Sequence, residues 1–380
     1  MKSDEKDNEP NVGSDSNEMV FYSNGSTFSP VIVLQGEAIV TWTWDDNTTS
    51  NSTKPIKEYG SDDLRKNSLK VNPWNAVRRI NIGYDALDGG SVNIELVPDQ
   101  KVSSVENLNL VAPYLKEWCS SYNNLTSLDF SNFTNLETIE CYNSLTLKNV
   151  NLSNTPKLKR VCFEDNDLLN LDMRECYSLE DIRGAMNNFS TVVFPTHSEK
   201  LWHICIRDSP ISNPYLFSDL SKFPMISQLW IPNINQQGEF KLPKSNYDGN
   251  CSIWGWSNKY SSMDLRGSFQ NRDLDGYVNM SFNELTRVEI AGCSQIKELN
   301  LQNNKLEPET IDYILKQVDD FGTSNGTLDL RQNKPPTAVG LTYKTNLEKR
   351  GWKIAIDKII TGKLEHEIYI LYNQQYKPIQ

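Results

Sequence analysis

From residue 125 the apolar residues fall in a short fixed frame. Leu125, Leu128 and Phe130 occupy its positions 1, 4 and 6, and Leu136, Ile139 and Cys141 fill the same positions eleven residues later. The first position recurs at Leu125, Leu136, Leu147, Leu158, Leu168, Leu179, Phe189 and Leu201, in steps of 11, 11, 11, 10, 11, 10 and 12. Side chains alternate along a strand, so positions 4 and 6 point to one side, while position 1 turns in at the preceding bend. Each frame is then one short strand with a three-residue apolar face. Such a strand cannot stand alone, and stacking many of them buries the faces in a common core.

Two kinds of frame alternate. One reads "LTSLDFS", "LKNVNLS", "LLNLDMR". The other reads "LETIECYN", "LKRVCFEDN", "LEDIRGAMN" and ends in Asn143, Asn166 and Asn187. The true repeat is about 21 residues with two strands per coil, and the asparagines are placed to bond backbone groups in the bend. This pattern resembles the nested 10/11-residue leucine-rich repeat of Bacteroidetes-type bacterial surface proteins. The resemblance implies a non-enzymatic, surface-displayed protein that binds a protein partner. The frame loosens between 207 and 283 and returns at "LTRVEIAGC" and "IKELNLQNN".

Flanking patterns differ. Residues 18–104 hold short β-rich runs, among them "AIVTWTWDD", in which Trp42 and Trp44 alternate with threonines as in a half-buried strand. "TWTWDDNTTSNSTKPIKEYG" resembles the strand-turn-strand of polycystic-kidney-disease-type β-sandwiches, with Asp45-Asp46-Asn47 in place of the usual glycine-containing turn. In "EPETIDYILKQVDDF", Ile311, Ile314, Leu315 and Val318 have helical spacing, with Pro308 in the first turn. A second helix is expected over about 337–349, ending at Gly351.

The expected architecture is β-rich with minor α. An acidic tether (1–17) and a small β-sandwich (18–104) precede a leucine-rich-repeat solenoid of short parallel strands (105–356). The solenoid has an irregular insertion at 207–283 and a helix-containing cap at 305–356, and a C-terminal hairpin (357–380) follows as a route to oligomerisation.

Charge and chemistry narrow the function. The formal net charge is -11 and the mean hydropathy -0.55, with no basic block, so nucleic acid is not an expected partner. No apolar run is long enough to span a membrane. The opening residues show no secretory signal. An extracellular or cell-surface protein, lipid-anchored if a signal precedes Met1, is the expected setting, with a virion or the cytosol the alternative if Met1 is the native start. Seven cysteines include no C-x-x-C pair and read as reduced, buried thiols. Cys162 and Cys205, two strands apart, are expected at roughly 9.6 Å, too far for a disulfide. Three histidines without metal-ligand spacing and no nucleophile or phosphate motif leave no enzyme class with positive support, and no cofactor is expected. Asn271, Asp273 and Asp275 follow the start of a calcium loop, but Phe282 stands where the loop needs a bidentate acid.

Outward positions of the asparagine-ending strands carry the candidate binding residues. Arg160, Arg183, Trp202, His203 and Trp230 fall on neighbouring strands, and Trp and Arg dominate binding hot spots. Stacked tryptophans, with Trp254 and Trp256 added, leave a glycan as the alternative ligand. The same "IWGW" segment is equally placed to cover Trp202 and Trp230. A structural role in a larger assembly, such as a phage particle, is the other alternative.

Overall fold

The computed structural model describes residues 17–84, 99–244, 249–270 and 274–357. Thirteen strands form one long sheet. Its solenoid part is parallel throughout, running through Glu117–Cys119, Thr138–Glu140, Arg160–Cys162, Asp181–Arg183, His203–Cys205, Gln228–Trp230, Cys251–Trp254, Gly276–Asn279, Ile296–Asn300, Thr327–Asp329 and Lys353–Ala355. The other kind of frame gives the strands of an interrupted second side: Ser127–Asp129 with Asn149–Asn151, Asn170–Asp172 with Thr191–Val193, and the trio Gln237–Lys241, Lys259–Asp264 and Arg287–Glu289. From Leu125 to Ile206 frame positions 1, 4 and 6 are buried as expected except Val150, which is half-buried; Leu136, Ile139 and Cys141 are fully buried. The architecture is that of a leucine-rich-repeat solenoid.

The turn after each long-sheet strand is the most regular feature. Position 8 is left-handed in coil after coil, at Tyr122, Asn143, Asp165, Met186, Asp208, Asn233, Ser257, Phe282, Asn303 and Gln332. The next side chain then points inward and bonds the backbone of two coils. Asn187 Nδ2 donates to Phe163 O of the previous coil (2.7 Å) and to Gly184 O and Ala185 O of its own (3.2 Å each), while its Oδ1 accepts from Leu168 N at 3.0 Å. Asn123, Asn166, Asn258, Asn283, Asn304 and Asn333 repeat the arrangement. Asn143 is not a rung. It supplies the left-handed residue (φ 51°), and buried Ser144 takes the inward place. Asparagine serves both sites for different reasons, since it tolerates the left-handed region and also carries a donor and an acceptor.

The described residues of 207–283 do not form an irregular insertion. Their strands continue the long sheet, but the coil is longer. The register steps by 22, 21 and 22 residues from Thr138 through Arg160 and Asp181 to His203. It then steps by 25, 24 and 25 through Gln228 and Ser252 to Tyr277.

At the N-terminal end, Met19–Ser23, Ile39–Thr43, Thr49–Ser50, Arg65–Asn72 and Val102–Glu106 form an antiparallel sheet. Val31–Leu34 and Val77–Asn81 instead join the long sheet, the latter pairing in parallel with Glu117–Cys119. The N-terminal module therefore shares its second layer and its apolar core with the solenoid. Trp42 and Trp44 fill the buried face of a strand whose threonines stay partly exposed, as the alternation predicts; the two rings stack at 5.7 Å and Phe28 meets both edge-on. Asn123 locks the junction, accepting from Val102 N (2.7 Å) and donating to Ile82 O (2.8 Å).

The C-terminal cap has helices α1 (Pro308–Asp320) and α2 (Ala338–Lys349). Thr337 caps α2 by accepting from Val339 N, and Gly351 follows it at φ 84°. Residues 358–380, where the hairpin was expected, and 1–16 of the tether lie outside the described residues.

Replacing Asn187 by Ala leaves several buried backbone groups without partners and is expected to destabilise by about 3 kcal/mol. Asn143→Gly keeps the left-handed backbone and should change stability by about 0.5 kcal/mol or less. Urea unfolding of the two variants checks the contrast.

Candidate functional site

The long sheet carries two outward columns. Position 3 runs Glu117, Thr138, Arg160, Asp181, His203, Gln228, Ser252, Tyr277; position 5 runs Cys119, Glu140, Cys162, Arg183, Cys205, Trp230, Trp254, Asn279. Strand pairing sets Arg160, Arg183, His203 and Trp230 on neighbouring strands, and Trp202 immediately precedes His203.

Asp181 is the centre of the first cluster. Its carboxyl is 1% exposed although it occupies an outward position. His203 Nδ1 lies 2.7 Å from Oδ1, Arg183 Nη2 lies 3.1 Å from Oδ2, and Arg183 Nε reaches both oxygens at 3.2 to 3.3 Å. Arg160 Nε stands 3.4 Å from Oδ2, close enough for an ion pair but without hydrogen-bond geometry. Burial alone would raise the Asp181 pKa. The hydrogen bond from His203, the His203 charge and the Arg183 guanidinium together outweigh it and hold the carboxyl below its ordinary 3.8.

His203, expected on an open surface, is 3% exposed. Trp202 stacks on it at 5.3 Å and Trp230 meets its ring edge-on at 4.9 Å. Asp181 orients its Nδ1, and its Nε2 is buried without a hydrogen-bond partner among the described residues.

The aromatic run continues beyond the predicted residues. Trp254, directly paired with Trp230, stacks on it at 4.6 Å and 12°, and Trp256 follows at 5.7 Å. Gly255 separates these two; a Cβ there would meet Met280 Sδ at 2.6 Å. The stripe Trp202–His203–Trp230–Trp254–Trp256 thus crosses consecutive coils, and its four tryptophans are half-buried rather than covered. Trp254 is a rung beside Trp230, not a lid over it. The pairing signal was available in sequence, since Trp254 stands 24 residues after Trp230.

The cysteines offer no activated nucleophile. Cys162 and Cys205 share the column with Arg183 between them, and all seven cysteines are buried thiols rather than disulfides. Burial pushes Cys205 up to about 12 and Cys162 well above its ordinary value.

Of the calcium candidates, Asn271 and Asp273 lie outside the described residues. Asp275 takes its backbone amide to Asn250 Oδ1 at 3.2 Å and starts the bend before strand Gly276–Asn279. Phe282, at the failing position of the loop pattern, is a left-handed turn residue. Among the described residues no group of three or more His, Cys, Asp or Glu is placed to hold a metal ion, and no helix is long and apolar enough to cross a membrane.

Asp181→Asn removes a carboxyl with a depressed native pKa. Wild-type stability from this group is present above pH 3.8 and is lost as the pH falls through the lower native value. The variant should be less stable at pH 7 by about 2 kcal/mol. The gap should narrow as the pH is taken down from 3.8 in denaturant titrations; a constant gap would show that the ionised carboxyl is not what stabilises the cluster.

Comparison with known proteins adds only distant likenesses. No protein-family model and no curated protein matches the chain. Among solved structures, the chain is similar to the plant peptide hormone receptor RGFR1, solved in complex with RGF2, at 16% identity and TM-score 0.38, over 65% of this chain and 49% of that one. It is also similar to the functional domain of InlJ from Listeria monocytogenes, described as including a cysteine ladder, at 13% identity and TM-score 0.31, over 58% and 56%. The chain spans about half the length of these two solved chains.

Proposed function

We propose that this protein is a non-enzymatic binding protein that recognises a protein partner on the long-sheet face, displayed outside the cell or on its surface. The observation that carries this reading is the aromatic stripe from Trp202 to Trp256, half-buried and flanked by Arg160 and Arg183. Large aromatic rings held rigidly beside guanidinium groups are the composition of binding hot spots. The strands that carry them are preformed, so little ordering is required on binding.

A protein ligand fits the stripe better than a sugar. A sugar platform needs a free indole face. Trp230 and Trp254 spend facing surfaces on each other, at 4.6 Å and 12°. What they present outward is edge and rim, suited to packing against apolar side chains. A surface location, with a lipid anchor if a signal precedes Met1, belongs to the same proposal, as does the likeness to Bacteroidetes-type surface proteins.

Selection of a displayed peptide library against the folded protein, alongside a glycan array, tests this reading. The expected result is enriched peptides whose affinity falls at least tenfold in Trp254→Ala and Trp230→Ala, with melting temperatures recorded to confirm folding. Trp-dependent glycan binding, or peptides indifferent to both substitutions, would overturn it.

A further inference from the structure

Resting on the reading of this face as a protein-binding surface, we propose that Arg160 and Arg183 form a clamp for one side-chain carboxylate of the partner, set beside the tryptophan stripe that takes an apolar side chain. Asp181 is a positioning residue in this arrangement. It has no exposed surface of its own to offer a ligand, at 1% exposure, yet both its oxygens are engaged by the groups around it. Arg183 uses Nε and Nη2 on Asp181, which leaves Nη1 without a hydrogen bond to the described residues. Arg160 meets Asp181 through Nε at 3.4 Å, and neither terminal nitrogen makes a hydrogen bond to the described residues. The two side chains are 43% and 44% exposed, so these N–H groups are accessible while their stems are fixed. Two guanidinium groups held by one buried carboxylate present a surplus of directional donors at the sheet surface.

The surroundings select the kind of anion. Glu140 pairs in register with Cys162, and Glu164 accepts from Cys205 Sγ at 3.7 Å, so acids flank the clamp. The chain as a whole carries a net charge of -11. Long-range attraction for a polyanion is therefore absent, and a phosphate or nucleic acid meets repulsion. A single planar carboxylate brings one charge and matches the guanidinium fork at short range. Arg183 and Trp230 are two rungs apart in one column, with Cys205 between them, a separation of about 9.6 Å. The matching partner segment has an Asp or Glu about three residues along an extended chain from a large apolar side chain, at roughly 3.3 Å per residue.

The test uses N-acetyl-Glu-Gly-Gly-Phe-amide, whose only carboxylate is the glutamate side chain, and its Gln counterpart. Binding is followed by the NMR signals of the indole and arginine Nε–H groups. The proposal expects saturable shifts, binding at least tenfold weaker for the Gln peptide, and a similar loss for the Glu peptide in Arg160→Met and Arg183→Met. Equal affinity for the two peptides overturns the clamp while leaving the aromatic face as a binding surface. Indifference to both arginine substitutions overturns it, as does the absence of any shift, and partner recognition then still answers to the library selection. A third peptide, with Gln in place of Glu and a free terminal carboxylate, overturns it in favour of a chain end if that peptide alone binds.

Discussion

The structure depends on how the bend after each long-sheet strand disposes of its backbone. A solenoid buries that bend, because the next coil stacks on it, and buried amides and carbonyls left without partners cost about 1–3 kcal/mol each. The inward asparagine meets this demand with one side chain that donates to carbonyls of its own coil and of the coil before it, and accepts from an amide just past the bend of that preceding coil. Asn258 shows the reach of one rung: its Nδ2 bonds Ile231 O, and its Oδ1 accepts from both Ile234 N and Gln236 N. The left-handed residue before each rung turns the chain so that the side chain can enter. Together they tie each coil to its neighbour, and the leucine core fills the space they define.

The same constraint frees the outward positions. Once the turns and core set the register, residues at positions 3 and 5 are aligned by strand pairing whatever their chemistry. This is how an acid, a histidine, two arginines and a run of tryptophans come to lie together on a sheet of otherwise ordinary composition. Asp181 is buried at an outward position because Arg160, Arg183 and His203 close over it, and His203 in turn lies under Trp202 and Trp230. The coils lengthen just where the tryptophans begin, after His203.

Much of this was legible in the sequence. The frame from Leu125 to Leu201 places the strands correctly, since period-2 alternation and a fixed step leave one register that turns the apolar triplets inward, with only Val150 left half-buried. Asn166 and Asn187 were readable as inward rungs. Asn143 was not distinguishable from them by type, because the left-handed site favours asparagine too. The frame was lost after 233 for a physical reason. Asn250 and Asp275 stand at first positions that are apolar from Leu125 to Ile226, and the side chain of Asn250 bonds the Asp275 amide. Trp254 was therefore readable either as a member of the tryptophan cluster or as a cover, and the strand pairing with Trp230 makes it the former. The fusion of the N-terminal module with the long sheet was also out of reach, because it rests on pairing between Val77–Asn81 and Glu117–Cys119. No local pattern specifies a contact at that separation.

Native-state hydrogen exchange on the amides that donate to the asparagine rungs tests the account most directly. The relevant amides are those of Val102, Ser144, Leu168, Tyr260 and Leu285, all in bends or at strand margins. The account predicts protection comparable to that of core strand amides such as Ile139 and Ile182, with exchange limited by opening of the solenoid. Exchange at the rate of exposed turn amides would contradict it, since the ladder would then not be what holds one coil on the next.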